Sequence, residues 1–158
     1  MSGPPPLRPF GLVLHHDGRW THEGHPILNR RLREHFDRSV AFLPDEGERG
    51  KYVVTLRHFR GEVEVEEAGF FVRVVDLARG RVALSDGSED ALDVGSLRVS
   101  AIDGAWLCRV KRALVEGGVD ARFTHAAQAE LAAAVELDEA GEPGVAVAGA
   151  WRRLPDLA

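Results

Sequence analysis

Gly11–Glu23 reads GLVLHHDGRWTHE, and Leu97–Lys111 reads LRVSAIDGAWLCRVK. Both alternate around an Asp-Gly pair, and both place a tryptophan two residues after the glycine. Asp-Gly between strand-like residues is a strong hairpin signal, because a type I′ turn needs positive φ at both central positions. Asp17-Gly18 and Asp103-Gly104 lie 86 residues apart. A helical stripe follows each hairpin. Leu28, Leu32, Phe36 and Val40 recur every four residues after Pro26, which places the first helix from about Ile27. Phe123, Ala127, Leu131 and Val135 form the second stripe, with Thr124 as its N-cap. The recurring order of strand, turn, strand and helix predicts an α+β protein built by duplication. Its halves are residues 1–80 and 81–158, packed as one folding unit.

Between these landmarks, Asp45–Gly50 (DEGERG) is a polar turn. Lys51–Arg57, Glu62–Glu66 and Phe70–Asp76 read as strands with short breaks. Asp86, Ser88 and Asp90 have the spacing of a calcium loop, but its sixth position is Ala91 and its twelfth is Leu97. A calcium loop needs glycine and glutamate there, so this stretch reads as a turn. After Leu137 the chain reads as an irregular tail with one short strand at Val145–Ala148.

Register assigns faces, since residues opposite each other across a hairpin share one. A two-residue turn at Asp103-Gly104 puts Leu97, Val99, Ala101, Trp106, Cys108 and Val110 together. That face is apolar, so Cys108 is expected to be a buried, inert thiol. The same turn at Asp17-Gly18 puts Val13, His15, Trp20 and His22 on one face, with two histidines where the second hairpin has alanine and cysteine.

Composition limits the function classes. The chain has 158 residues, 44% hydrophobic and 28% charged, with a single cysteine. That is a globular composition with no disulfide framework and no cysteine-based zinc site. The longest run without a formal charge is nine residues, Pro143–Trp151, against the roughly 20 of a membrane helix. The opening MSGPPPLRPF has no signal-peptide core. These features predict a cytoplasmic protein that does not engage a membrane. Net charge is −5, but residues 1–60 carry ten Lys/Arg against seven Asp/Glu, and residues 61–158 carry ten against eighteen. The acidic second half argues against a nucleic-acid partner and leaves the first half as the expected anion-facing surface. No G-x-S-x-G and no phosphate-cradling glycine loop is present, so no catalytic residue and no cofactor is assigned.

Residues 11–136 resemble the uncharacterised bacterial family catalogued as domain of unknown function 1285. The resemblance rests on Asp17-Gly18, Trp20, His22, Gly24, Pro26-Ile27 and Phe36. It continues through Gly50, Tyr52, Thr55, Val65-Glu66, Ala68 and Phe70 to Asp103-Gly104 and the second helix. The chain departs at Thr55–His58, where the family tends to Thr-Pro and an acidic residue, and at Glu67–Phe70, where it tends to Asp-Ala-Pro-Phe. The stretch around Gly80–Ser96 is shortened. The resemblance implies a duplicated core whose C-terminal copy is superficially like a pleckstrin-homology domain. It also implies a nucleotide-like ligand in a groove between the copies, and a tie to signalling.

The candidate ligand residues follow. Lys51, Thr55 and Arg57 share one face of their strand, opposite Tyr52, Val54 and Leu56, and Tyr52 offers a ring for stacking. Arg30 leads a helix that also carries Arg31, Arg33 and Arg38, whose planar forks suit phosphate or carboxylate. The same arginines also suit solvated pairs such as Arg30–Glu34 and Arg33–Asp37. His22 matches the family pattern and completes the set as a donor. The leading reading is a non-catalytic regulatory module for an anionic or nucleotide-like small molecule. Two alternatives stand beside it: a metal-dependent enzyme using His15 and His22, and a protein–protein adaptor using an exposed sheet edge.

Overall fold

The computed structural model describes residues 8–57 and 59–157, so His58 lies outside the described residues. The chain divides into two compact units, Met1–Gly69 and Phe70–Ala158. The division falls at Gly69 rather than near residue 80, because Phe70–Asp76 pairs only with strands that follow it.

The first unit runs β1 (Arg8–Leu14), β2 (Trp20–His22), β3 (His25–Pro26), α1 (Arg30–Ser39), β4 (Ala41–Leu43), β5 (Lys51–Leu56) and β6 (Phe59–Val65). Its sheet has the order β3-β2-β1-β6-β5-β4. The central pair β1/β6 is parallel and the other neighbours are antiparallel. Helix α1 starts at Arg30 instead of Ile27. The Ile27 N–H still bonds the Trp20 carbonyl, and the Asn29 side chain caps the helix by accepting from Leu32 N at 3.1 Å. Leu28 therefore stands outside the helix, 82% exposed. Phe36 and Val40 do reach the core. Phe36 meets Trp20 at 5.2 Å between ring centroids, and the Trp20 indole donates to Asp37 Oδ1 at 2.9 Å. One buried tryptophan thus anchors the helix by area and by a hydrogen bond.

The second unit runs β7 (Phe70–Asp76), β8 (Arg81–Leu84), β9 (Glu89–Ala91), a 3₁₀ turn (Val94–Ser96), β10 (Arg98–Val99), β11 (Trp106–Val110), β12 (Val119–Phe123) and α2 (His125–Ala133). Its sheet order is β10-β11-β12-β7-β8-β9, again with a parallel central pair, β7/β12. Thr124 caps α2 by accepting from Ala127 N, and Ala127 and Leu131 are fully buried beneath it.

The two sheets therefore share one plan. In each, two three-strand meanders are joined by pairing of the first strand with the sixth. The α+β duplication is present, but not at the 86-residue offset. By topology β1 corresponds to β7, whose first residues Arg8 and Phe70 are 62 apart. Asp17-Gly18 joins the first and second strands of its sheet, whereas Asp103-Gly104 joins the fourth and fifth of the other. Trp20 and Trp106 are not equivalent. The helices differ too: α1 follows the third strand of its sheet and α2 follows the sixth.

Neither hairpin uses a two-residue turn. At the first, His15 N–H bonds Arg19 O at 2.8 Å and Gly18 N–H bonds His15 O at 3.0 Å, with Gly18 alone at positive φ, +89°. This is a three-residue loop closed by a glycine bulge. The Asp17 carboxylate holds it by accepting from Arg19 N and Nε. The register becomes Leu14↔Trp20, Val13↔Thr21 and Leu12↔His22. A slip of one residue exchanges faces, so Leu12, Leu14 and Trp20 turn inward together. At the second hairpin Ser100 N–H bonds Ala105 O around a four-residue loop, and Val99 faces Trp106. That slip is two residues, so the predicted face survives. Leu97, Cys108 and Val110 are buried on it, although Val99 and Ala101 are exposed. Cys108 is 1% exposed, and burial, with the nearby Asp93, Asp90 and Asp120 charges, pushes its thiol up to about 12.

The tail is ordered rather than irregular. β13 (Glu136–Leu137), β14 (Pro143–Val147) and β15 (Ala150–Arg153) form a third antiparallel sheet in that order. Val145, Val147 and Leu154 are buried. Gly144 is required by close approach, since a Cβ there would lie 2.5 Å from Trp151 Cζ2. Among the described residues no helix is long and apolar enough to cross a membrane.

Candidate functional site: an arginine-lined cavity in the second unit

The six ligand residues expected in the first unit occupy separate places. His22 ends β2, opposite His25, and is exposed. Three strand spacings in the order β2-β1-β6-β5 separate it from β5, roughly 14 Å at ~4.8 Å per strand. On β5, Lys51 donates to Glu62 of the adjacent strand at 3.4 Å, and the Tyr52 ring packs on Phe42 at 4.9 Å. The Thr55 carbonyl accepts from His35 Nε2 at 2.7 Å. Arg57 has φ +57° and sits in the turn after β5, not on the strand face. Arg30 opens α1 and pairs with Glu34 at 2.8 Å. None of the six lines the cavities described below.

The histidines do not share a face either, and the one-residue slip is the reason. His15 Nε2 bonds Thr21 Oγ1 at 2.8 Å, and its Nδ1 lies 3.4 Å from Glu66 Oε2. His16 Nδ1 engages the other Glu66 oxygen. His22 lies on the opposite face of the hairpin. No group of three or more metal-ligating side chains occurs among the described residues. Desolvation pushes the Glu66 carboxyl upward, but the hydrogen bonds and charge of His16, with the bond of His15, outweigh it and hold it below its ordinary value.

In the second unit, the loop with calcium-like spacing is occupied by a cation from the chain itself. The Lys111 ammonium lies 2.8 Å from Asp86 Oδ2 and 3.3 Å from Ser88 Oγ, over the Phe70 ring at 4.7 Å. Asp90 accepts the Lys111 N–H at 2.6 Å. Burial alone raises the Asp86 carboxyl, but the bonds from Lys111 and Ser88 lower it overall.

The same lysine, at φ +57°, turns the chain out of β11 and brings Arg112 beside Arg109. Together with Arg152 and Arg153 of β15 they line a cavity of about 500 Å³, to which Asp90, Leu92, Asp93, Val94 and Val110 also contribute. Three guanidiniums have carboxylate neighbours. Arg112 pairs with Asp93 at 2.5 Å, Arg153 with Glu142 at 3.1 Å, and Arg109 Nε lies 3.4 Å from Asp120, which Arg98 also engages. Arg152 has no carboxylate partner among the described residues. Four arginines against the two carboxylates of Asp90 and Asp93, with apolar residues between them, make a lining suited to a planar or tetrahedral anion. The size lies within the range of small-ligand pockets.

A second cavity, of about 450 Å³, is lined by Asp103, Arg122, His125 and Gln128. Its polar groups serve the hairpin. Gln128 accepts from Trp106 N at 2.7 Å and donates to Gly104 O at 3.1 Å, while Arg122 pairs with Asp103 at 2.5 Å.

The arginine cavity escaped the sequence reading because the second half is acidic as a whole. Its signal was local, in the basic run Arg109–Arg112 (RVKR) and the doublet Arg152-Arg153.

Fold and site define an α+β protein of two similar six-stranded sheets with an arginine-lined cavity in the second unit. Two solved structures share this fold. One is a DUF1285 family protein from Silicibacter pomeroyi DSS-3, with a TM-score of 0.61 and 17% identity over 98% of this chain and 88% of that one. The other is a DUF1285 family protein from Shewanella baltica OS155, with a TM-score of 0.51 and 16% identity over 78% of this chain and 91% of that one. The resemblance read from Asp17-Gly18 through the second helix is therefore upheld as a likeness of fold. No family model and no curated protein matches the chain.

Proposed function

We propose that the protein is a non-catalytic, regulatory ligand-binding module of the cytoplasm, and that its second unit receives an anionic group in the arginine-lined cavity. The observation that carries this reading is the set Arg109, Arg112, Arg152 and Arg153 around one cavity, with Arg152 having no carboxylate partner among the described residues. The chemistry agrees with the nucleotide-like ligand that the family resemblance implies, since guanidinium forks match phosphate as they do carboxylate.

Calorimetric titration with inorganic phosphate, pyrophosphate and a nucleoside diphosphate tests it. A charge-assisted hydrogen bond contributes roughly 1.5–3 kcal/mol, so Arg152→Ala is expected to weaken the best of these anions about 10- to 150-fold. Lys51→Ala, on the surface expected from the sequence, is the companion variant. Weakening by Lys51→Ala and not by Arg152→Ala would move the site to the first unit, and no binding of any anion would end the reading.

A further inference from the structure

β15 pairs with β14 on one side, and among the described residues no strand pairs with its other edge, although the 3₁₀ turn Val94–Ser96 lies close to β15. The Leu154 N–H bonds Pro143 O, which makes Pro143/Leu154 a hydrogen-bonded position of the antiparallel ladder. Such positions alternate, so the pairs Val145/Arg152 and Val147/Ala150 bond each other as well. The backbone groups of Trp151 and Arg153 therefore point outward. Neither residue has a backbone partner there among the described residues.

The arginine cavity adjoins this same edge. Arg152 and Arg153 are consecutive, so their side chains leave opposite faces of the strand. Both nevertheless line the one cavity. All four residues of β15 are exposed, including Trp151 at 43%.

An open edge with outward amides and cationic side chains on both faces is a template for strand addition. We infer that β15 docks an extended acidic segment of a partner protein, with its backbone on the Trp151 and Arg153 amides and carbonyls. Two consecutive Asp/Glu side chains of that segment would meet Arg152 and Arg153, one on each face, and an apolar residue would lie against Trp151. This rests on the anion reading of the cavity and names its partner. A second copy of the chain fits worse, because self-pairing of a four-residue edge sets arginine against arginine. Cationic edges of this kind discourage such pairing.

The test uses the full chain and a decapeptide with acetyl and amide caps, carrying a central Glu-Glu pair between valine and threonine residues. Fluorescence anisotropy is expected to show saturable binding. Replacing Glu-Glu by Gln-Gln, or N-methylating alternate residues in the register that faces the edge, is expected to weaken it at least about 10-fold. Arg152→Ala should do the same, as should Trp151→Pro, which removes an outward N–H without breaking a backbone bond to β14 but also takes away the ring packed on Gly144. Circular dichroism checks that both variants fold, and the N-methylated peptides leave the protein untouched. Binding that survives N-methylation in both registers overturns strand addition. Inorganic phosphate binding without peptide binding overturns this inference and leaves the anion site standing, whereas failure of both overturns both. Equal binding of a Gln-Gln peptide with a free C-terminal carboxylate overturns the assignment to side-chain carboxylates. A dimer seen by sedimentation and abolished by Trp151→Pro makes a second copy the occupant.

Discussion

At Asp86 one carboxylate accepts from Lys111 and from both donors of Ser88, at 12% side-chain exposure. Hydrogen bonds to charged groups contribute about 1.5–3 kcal/mol each when removal leaves the partner unsatisfied. Asp86→Ala is expected to cost on the order of 2–3 kcal/mol in urea unfolding; a loss below about 0.5 kcal/mol would mean the ammonium is held by Phe70 and solvent alone. The folded-state pKa of Asp86 is lowered, so its contribution is complete above the unfolded value near 3.8 and disappears as pH falls through the folded value. Glu66 acts with the same sign, its contribution complete above about 4.5. Unfolding free energy should fall as pH drops below about 4.5 in the wild type, and less steeply below about 3.8 in Asp86→Ala. Parallel curves would assign the acid loss to other carboxylates. Cys108, buried with its pKa raised, should react with a thiol reagent only as fast as the chain opens. Rapid labelling in native buffer would contradict the register of β11.

Among the elements, both hairpins, both helices and the Thr124 cap lie close to where composition and spacing put them, because these features are local, whereas the Asn29 cap was not anticipated. Asn29 and Thr124 cap their helices by the ordinary side-chain bond, and Phe36, Ala127 and Leu131 face the cores that their stripe indicated. What remained hidden was register. The loop at Asp17-Gly18 has three residues, with the Asp17 carboxylate bonded to Arg19, and its length decides on which faces His15 and His22 lie. The tail was misread for a related reason. The alternating Val145 and Val147 mark the one strand legible there, which falls within β14, whereas β13, β15 and the close approach of Gly144 to Trp151 carry no such pattern. The Trp20–Asp37 hydrogen bond gives this scale its own test. Asp37→Leu leaves the buried indole N–H without its acceptor and is expected to destabilise the protein by about 1–3 kcal/mol, with loss of near-ultraviolet tryptophan signal. An unchanged melting temperature would show that α1 is held by Phe36 alone.

In the whole molecule, one strand plan is used twice and finished differently. The first unit inserts α1 between its meanders, where the second has only the 3₁₀ turn, and the second adds α2 and a third sheet. The duplication was legible in outline from two Asp-Gly hairpins, though these occupy different places in the plan, and only pairing across the sheets shows the correspondence of β1 with β7. Net charge and its local arrangement differ at this scale. The first unit is the more basic, yet its Arg30 and Lys51 are answered by Glu34 and Glu62, while the acidic second unit concentrates four arginines at one cavity. Those guanidiniums can be watched directly by recording arginine Nε–Hε resonances in the intact protein during titration with pyrophosphate. Saturable shifts of Arg109, Arg112, Arg152 and Arg153, with Arg30 and Arg57 unmoved, are the predicted result; shifts confined to Arg30 and Arg57, or no shift at any arginine, would contradict it.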